Sequence, residues 1–142
     1  MMHTQLQNSD AWVMLSVLYE YGYTGEDVSL AQIIGACDFI EHAIITYDEL
    51  TGALVRLTSQ QYITDAGALR FLPASSILNQ FNNYRQANNK FNVQRDLQFI
   101  AHTIHAGEWY PGFDYKKMNA GFRYPGLSFE DYQCAYRSYV NK

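Results

Sequence analysis

Two histidines with a spacing that could bind a metal lie near the end of a predicted helix. His102 and His105 are followed by Glu108, so His-x2-His-x2-Glu could present two or three ligands on one helix face. We expect Gly107 to end this helix before Glu108 can join that face. The zinc-protease pattern HExxH does not occur in the chain. Helical histidine pairs are mostly surface side chains, so we predict no metal and no other cofactor.

The remaining catalytic patterns are weaker still. Cys37 and His42 could act as a nucleophile and a base, but Cys37 falls on the buried stripe of a predicted helix, where a thiol is usually inert. Cys134 is far away in sequence, and the two cysteines form no CxxC pair. No P-loop, GxGxxG or GxSxG motif occurs. We therefore expect no catalytic residues and a protein that is not an enzyme.

The clearest candidate binding surface is one face of a helix that is predicted to begin at Thr46. Thr46 and Glu49 form a capping box, and Ile45 and Leu50 form a hydrophobic staple. Leucines at helical spacing define the inner face of this helix. The outward face, available to a partner protein or to DNA, is expected to carry Asp48, Thr51, Val55, Arg56 and Ser59.

The elements before and after this helix are predicted from the same signals. A strongly apolar helix over residues 11–21 should end at Gly22, and a loop over residues 22–28 should lead to a second helix capped by Ser29 and Gln32. After the third helix, residues 62–64 and 69–72 should form a hairpin around a turn at residues 65–68. Pro73 should lie in the first turn of a fourth helix over residues 73–84.

The C-terminal part is predicted to hold two more helices and an aromatic loop. Asn92 should cap a helix that stops at Gly107, and Ser128 should cap the last helix. We expect the rings of the loop between them to anchor it to the core, and an aromatic binding surface for a ligand or peptide is the alternative. This candidate aromatic and basic surface comprises Trp109, Tyr110, Lys116, Lys117 and Arg123.

The predicted order of helix, helix, helix, hairpin and helix resembles the winged helix-turn-helix superfamily, in particular the small bacterial regulators of the MarR and PadR types. The resemblance covers residues 10–81. It rests on Leu50-x3-Leu54-x2-Leu57 leading into Gln61-Tyr62-Ile63, and on Leu72-Pro73-Ala74 after the hairpin. It implies that the helix from Thr46 is a recognition helix and that the hairpin is a wing, with Arg70 as its basic residue. The capping boxes are 17 positions apart, so the connection over residues 38–45 should be extended.

Charge separates the two halves of the chain. Residues 1–84 contain two basic and nine acidic residues, net −7, whereas residues 85–142 contain eight basic and five acidic residues, net +3. DNA-binding domains need several basic contacts to phosphate, which the first half does not supply. We therefore expect a non-enzymatic binding or regulatory module that faces protein, including a second copy of itself. The alternative is a DNA-binding transcriptional regulator that acts as a dimer.

Length and composition set the outer limits of these expectations. The chain has 142 residues, 48% hydrophobic and 17% charged, which is typical of a folded domain. We expect a mainly α fold with a small β-hairpin, in the α+β class, divided into a winged-helix-like domain over residues 1–84 and a helical C-terminal extension over residues 85–142 that packs on that domain or on a second subunit. The polar N-terminus and the short apolar runs indicate a cytoplasmic protein without a membrane partner.

Overall fold

The architecture follows from a computed structural model that describes residues 6–107, 119 and 121–141. The expected fold class is confirmed, because the described residues form a mainly helical structure with a small antiparallel sheet. In chain order the elements are α1 (Asn8–Thr24), β1 (Val28–Ser29), α2 (Leu30–Glu41), α3 (Tyr47–Ser59), β2 (Ile63–Gly67), β3 (Arg70–Pro73), α4 (Ser75–Ala87), α5 (Val93–Thr103) and α6 (Phe129–Val140).

Helix α1 lies at the centre of the core, as its lack of a polar face predicts. Its residues are buried from Ser9 to Leu18, and it packs against α2, α3 and α5. The predicted ends are wrong. The N-cap is Gln7, whose backbone N–H donates to the carboxylate of Asp10 at 2.8 Å, and the helix continues to a left-handed Gly25. Both ends lie at local signals outside the predicted range, namely the capping box of Gln7 with Asp10 and the left-handed Gly25, whose N–H donates to the carbonyl of Tyr21 at 2.7 Å.

The predicted starts of α2, α3, α5 and α6 are confirmed. Ser29 and Thr46 accept hydrogen bonds from the backbone N–H groups of Gln32 and Glu49, and Ser128 does so from Asp131. Asn92 caps α5 through the N–H of Arg95 at 2.9 Å. These caps were predictable because both partners lie within four residues of each other. The connection between α2 and α3 begins at a left-handed His42.

The sheet corrects three predictions. Residues 28–29, expected to lie in a loop, form β1 and pair with β3, so the strand order is β1-β3-β2. The hairpin turn is at Ala68 and Leu69, which both have positive φ angles, because β2 continues through a bulge to Gly67. Pro73 ends β3 and does not begin α4. Strand pairing, a non-local property, decides all three.

The C-terminal elements pack back on this core. Helix α5 ends at Thr103, earlier than predicted, and Gly107 bonds to the carbonyl of Leu6 at 2.7 Å. Helix α6 packs against α2, where the Tyr139 ring lies directly over Gly35. Among the described residues, no helix combines the length and the apolarity required to traverse a lipid bilayer.

Candidate functional site

The predicted outward face of α3 is largely covered. Thr51 and Arg56 are 0% and 1% exposed, which contradicts the expectation that they face a partner or DNA. Asp48 and Val55 are partly buried, and Ser59 alone among the five is exposed. Residues of the chain's own C-terminal segment, 119 and 121–127, cover this face. Helical spacing identifies the sides of a helix but not which later part of the chain packs on each.

Arg56 is the centre of a buried polar network. Its Nε and Nη2 atoms donate to the two carboxylate oxygens of Asp10 at 2.8 and 2.9 Å, and Nη2 also donates to Asn119 at 2.8 Å. The guanidinium lies 5.3 Å from the ring centre of Phe122. Burial raises the pKa of Asp10, and the Arg56 charge opposes that rise. The network joins α1, α3 and the C-terminal segment, so Arg56 is unavailable to phosphate.

The segment 121–127 is bound to α3 and the hairpin by polar contacts. The backbone N–H of Tyr124 donates to Thr51 Oγ1 at 2.6 Å, and Arg123 forms an ion pair with Asp48 at 2.9 Å. The Tyr124 hydroxyl donates to the Asp65 carboxylate in β2. This bond lowers the pKa of Asp65, whereas burial and the same bond raise the pKa of Tyr124. The segment thus links α3 to strand β2 of the hairpin.

The predicted wing residue is also paired. Arg70 donates from Nε to the carboxylate of Asp27 at 2.6 Å and from Nη2 to its carbonyl oxygen at 3.0 Å. Both side chains are about one-third exposed. The sequence did not indicate this pair, because it depends on the pairing of β1 with β3. Arg56, Arg70 and Arg123 therefore all have carboxylate partners within the chain.

A different surface carries three of the exposed aromatic side chains, Tyr23, Phe39 and Phe91. Tyr19, Tyr23, Phe39 and Phe91 line an apolar groove of about 420 Å³ between α1 and α2, here called the aromatic groove. Tyr23, Phe39 and Phe91 are 88%, 56% and 53% exposed. The Phe91 ring centre lies 5.9 Å from that of Tyr19 and 6.4 Å from that of Phe39. Aromatic side chains at this level of exposure are characteristic of binding surfaces.

Charged side chains behind the aromatic groove hold two of its rings in place. Asp96, 1% exposed, accepts from the Tyr19 hydroxyl at 2.6 Å and pairs with Arg85 at 3.1 Å. The Arg85 guanidinium lies 5.3 Å from the ring centre of Phe91. Burial, followed by the bond to Asp96, raises the pKa of Tyr19.

The sequence analysis missed the aromatic groove, although one signal for it was present. Phe39 lies outside the apolar stripe of α2, which consists of Leu30, Ile33, Ile34, Cys37 and Ile40. A large ring off the buried stripe of an amphipathic helix indicates either a further contact or an exposed site. The other rings come from α1 and from the segment before α5, so only the folded chain brings them together.

The candidate metal and nucleophile residues are not assembled into a site. His102 and His105 are exposed, with His105 beyond the end of α5 at a positive φ, and Glu108 lies outside the described residues. Within the described part of the chain, no group of three or more potential ligands could hold a metal ion. Cys37 is buried against Ser16, and burial raises the pKa of its thiol, which makes it a poor nucleophile.

The predicted C-terminal surface is only partly described. Trp109, Tyr110, Lys116 and Lys117 lie outside the described residues. Arg123 is half exposed and lies over the Tyr47 ring, at 5.5 Å from its centre, while pairing with Asp48. Rings of this segment, those of Phe122 and Tyr124, pack onto the domain in the manner of an anchor.

Comparison of the chain with protein-family models, curated proteins and solved structures finds no match.

Proposed function

We propose that this protein is a non-enzymatic winged-helix module that binds another protein through the aromatic groove. The element order helix, strand, helix, helix and hairpin, with β3 between β1 and β2, supports the winged-helix assignment. A fold alone does not define a function. The function is therefore argued from the surfaces of the molecule.

The exposed rings of the aromatic groove are the observation that carries this proposal. The centres of protein interfaces are enriched in aromatic residues and depleted of charge. Phe39 and Tyr23 lie beside the small residue Ala36, and an apolar side chain could fill the depression between these rings. Bulky anchors that enter such depressions contribute most of the binding energy at interfaces.

Charge defines the chemistry of the partner. Helices α1 and α2, which form two walls of the aromatic groove, contain four acidic residues and no lysine or arginine: Asp10, Glu20, Asp38 and Glu41. Asp10 is neutralised by Arg56, whereas Glu20 lines the groove itself. The complementary partner is a protein segment that presents apolar side chains flanked by lysine or arginine.

DNA binding is the alternative function, and the paired arginines weigh against it. Phosphate binding depends on several available basic side chains. At the face formed by α3 and the hairpin, Arg56 is buried, and Arg70 and Arg123 are in ion pairs with Asp27 and Asp48. For DNA to bind there, its phosphates would have to replace the carboxylates that pair with these arginines. This part of the chain, residues 1–84, also has a net charge of −7, which repels phosphate.

Selection from a random peptide library tests the proposed function. We expect the wild-type protein to enrich peptides that combine aromatic or aliphatic residues with lysine or arginine. Phe39→Ser should remove this enrichment, because Phe39 is exposed and its loss leaves the core intact. Phe129→Ser is the matched control, since Phe129 is 53% exposed but lies on α6, away from the aromatic groove.

Two outcomes would overturn the proposal. One is enrichment that survives Phe39→Ser or that favours acidic peptides. The other is tight binding of mixed DNA fragments that weakens steeply as salt rises from about 50 to 200 mM, which is the signature of phosphate contacts. The second outcome would establish the DNA-binding alternative.

A further inference from the structure

A larger cavity lies at the N-terminal end of α1, apart from the aromatic groove. It has a volume of about 570 Å³ and is bounded by α1, α5 and the connection between α2 and α3. None of the residues that line the aromatic groove line this cavity. Its volume falls within the range of about 300–1,000 Å³ that is usual for small-molecule sites. We call it the α1–α5 cavity.

Much of its wall is apolar. Trp12 contributes an indole that is 9% exposed and whose Nε1 donates to the carbonyl of Cys37 at 2.8 Å. This bond fixes the ring and satisfies its one polar atom, so the indole offers the cavity an apolar surface only. Leu97 and Ala101 of α5 lie in the same wall. The apolar part of a ligand could pack against these residues.

The charged residues that line the cavity in the described part of the chain are both acidic. They are Glu41 and Glu49, and no lysine or arginine of the described residues joins them. Glu49 uses Oε1 to accept from both the backbone N–H and the hydroxyl of Thr46, at 3.1 and 2.9 Å, which leaves Oε2 without a hydrogen-bond partner in the described part of the chain. The C-terminal end of α2 at Glu41 adds the negative end of a helix dipole.

A buried hydroxyl gives an independent indication of a ligand. Ser9 lines the cavity and is only 4% exposed, and its Oγ has no hydrogen-bond partner among the described residues. Buried polar groups are nearly always paired, so this oxygen lacks a partner that a ligand could supply. The N-terminus of α1 contributes a partial positive charge of about one half, which is smaller than the combined negative charge of Glu41 and Glu49.

We propose that the α1–α5 cavity binds a small organic cation, a primary ammonium carried on an unbranched apolar body. The ammonium has three donors, which match the Glu49 and Glu41 carboxylates and the Ser9 hydroxyl. The apolar body lies along Trp12 and Leu97. This site is independent of the aromatic groove and of the protein-binding function proposed for it.

The fluorescence of Trp12 provides a direct measurement. The chain has two tryptophans, so Trp109→Phe leaves Trp12 as the sole indole. Hexylamine, hexanol and hexanoate then form a series of six-carbon compounds with a positive, a neutral and a negative head group. We expect hexylamine to change the Trp12 emission with a Kd below about 1 mM, hexanol to bind more weakly and hexanoate not to bind.

Charge variants then distinguish a site that recognises the ammonium group from a pocket that binds any apolar compound. Glu41→Gln combined with Glu49→Gln should weaken hexylamine binding about tenfold or more while hexanol binding is unchanged. Glutamine keeps the capping box of α3 intact, since Gln32 serves the same role in α2. Glu26→Gln combined with Glu130→Gln, both at exposed positions outside the cavity, is the control for the same change in net charge. Retained hexanol binding shows that each variant is folded.

Several results would overturn the proposal. Hexanoate binding as tightly as hexylamine, hexylamine binding unaffected by the double glutamine variant, or no response of Trp12 to any of the three compounds would each do so. Ala101→Phe supplies a last check, because filling the cavity from α5 should abolish binding of both hexylamine and hexanol.

Discussion

Helices α1 and α6 attach to the protein in opposite ways. Helix α1 is buried over ten consecutive residues and contributes mainly apolar side chains to the core. Helix α6 has no buried residue, and two tyrosine hydroxyls fasten it to α2 and the loop after it. Tyr139 donates to Asp38 at 2.6 Å, and Tyr132 donates to the carbonyl of Ile45 at 2.5 Å.

The same contrast extends to the segment before α6. Tyr47 donates its hydroxyl to the carbonyl of Leu127 at 2.9 Å, and Tyr124 donates to Asp65. Net contributions of single hydrogen bonds are about 0.5–1.5 kcal/mol, smaller than those of fully buried apolar side chains. The N-terminal part should therefore set the stability of the fold, and the C-terminal part should detach more easily.

The largest predicted effect comes from the charged pair of Arg56 and Asp10 inside the core. Arg56→Met should lower the free energy of unfolding by about 3–5 kcal/mol, because it leaves the Asp10 carboxylate buried without a cation. Urea denaturation would measure the loss. Asp10→Asn in the same chain should restore at least half of it, since no uncompensated charge then remains. A single-variant cost under about 1 kcal/mol would contradict complete burial of this pair.

An intermediate effect is expected where α6 crosses α2. A Cβ at position 35 would lie 2.8 Å from the Tyr139 ring, so Gly35→Ala should displace α6 and cost about 1–3 kcal/mol. Gly22→Ala is the matched control, because its Cβ would have no neighbour within 4 Å, and it should stabilise α1 by about 0.5–1 kcal/mol. Limited proteolysis should cut α6 in the first variant only. If α6 is protected from proteolysis in both variants, the contact of Tyr139 with α2 is not what holds α6 in place.

The smallest effect concerns the bond between Tyr124 and Asp65, and it should depend on pH. Tyr124→Phe should cost about 1 kcal/mol near neutral pH. The pKa of Asp65 is lowered in the folded state, so its contribution is complete above the ordinary value of 3.8 and is lost as the pH falls through the lowered value. The pKa of Tyr124 is raised, so its contribution is complete below 10.0 and declines at higher pH.

The difference in stability between wild type and Tyr124→Phe should therefore be constant from about pH 5 to 9 and shrink on both sides. Thermal denaturation across this range would measure it. Asp65→Asn is the control, because it should remove the decrease of this difference at low pH, which comes from Asp65, and keep the decrease at high pH, which comes from Tyr124. A difference that does not vary with pH would mean that packing of the Tyr124 ring against Phe71, and not its hydroxyl, holds the segment.

Residues close in sequence explain what could be predicted. The starts of α2, α3, α5 and α6 follow from Ser29, Thr46, Asn92 and Ser128, each of which bonds to a backbone N–H three residues later. The all-round apolarity of α1 predicted its central position. The aromatic groove and the α1–α5 cavity were not predictable, because their walls come from residues far apart in the chain.

Helix α3 shows which features of the structure the sequence alone does not determine. Its apolar spacing determined that α3 is amphipathic and which residues form its inner face, since a helix has a fixed period. It did not determine that Thr51 and Arg56 on the other side are also buried. Asp10 lies 46 residues before Arg56, and Tyr124 lies 73 residues after Thr51. Only the tertiary structure places those partners, because such pairings depend on how the whole chain packs and not on any local conformational preference.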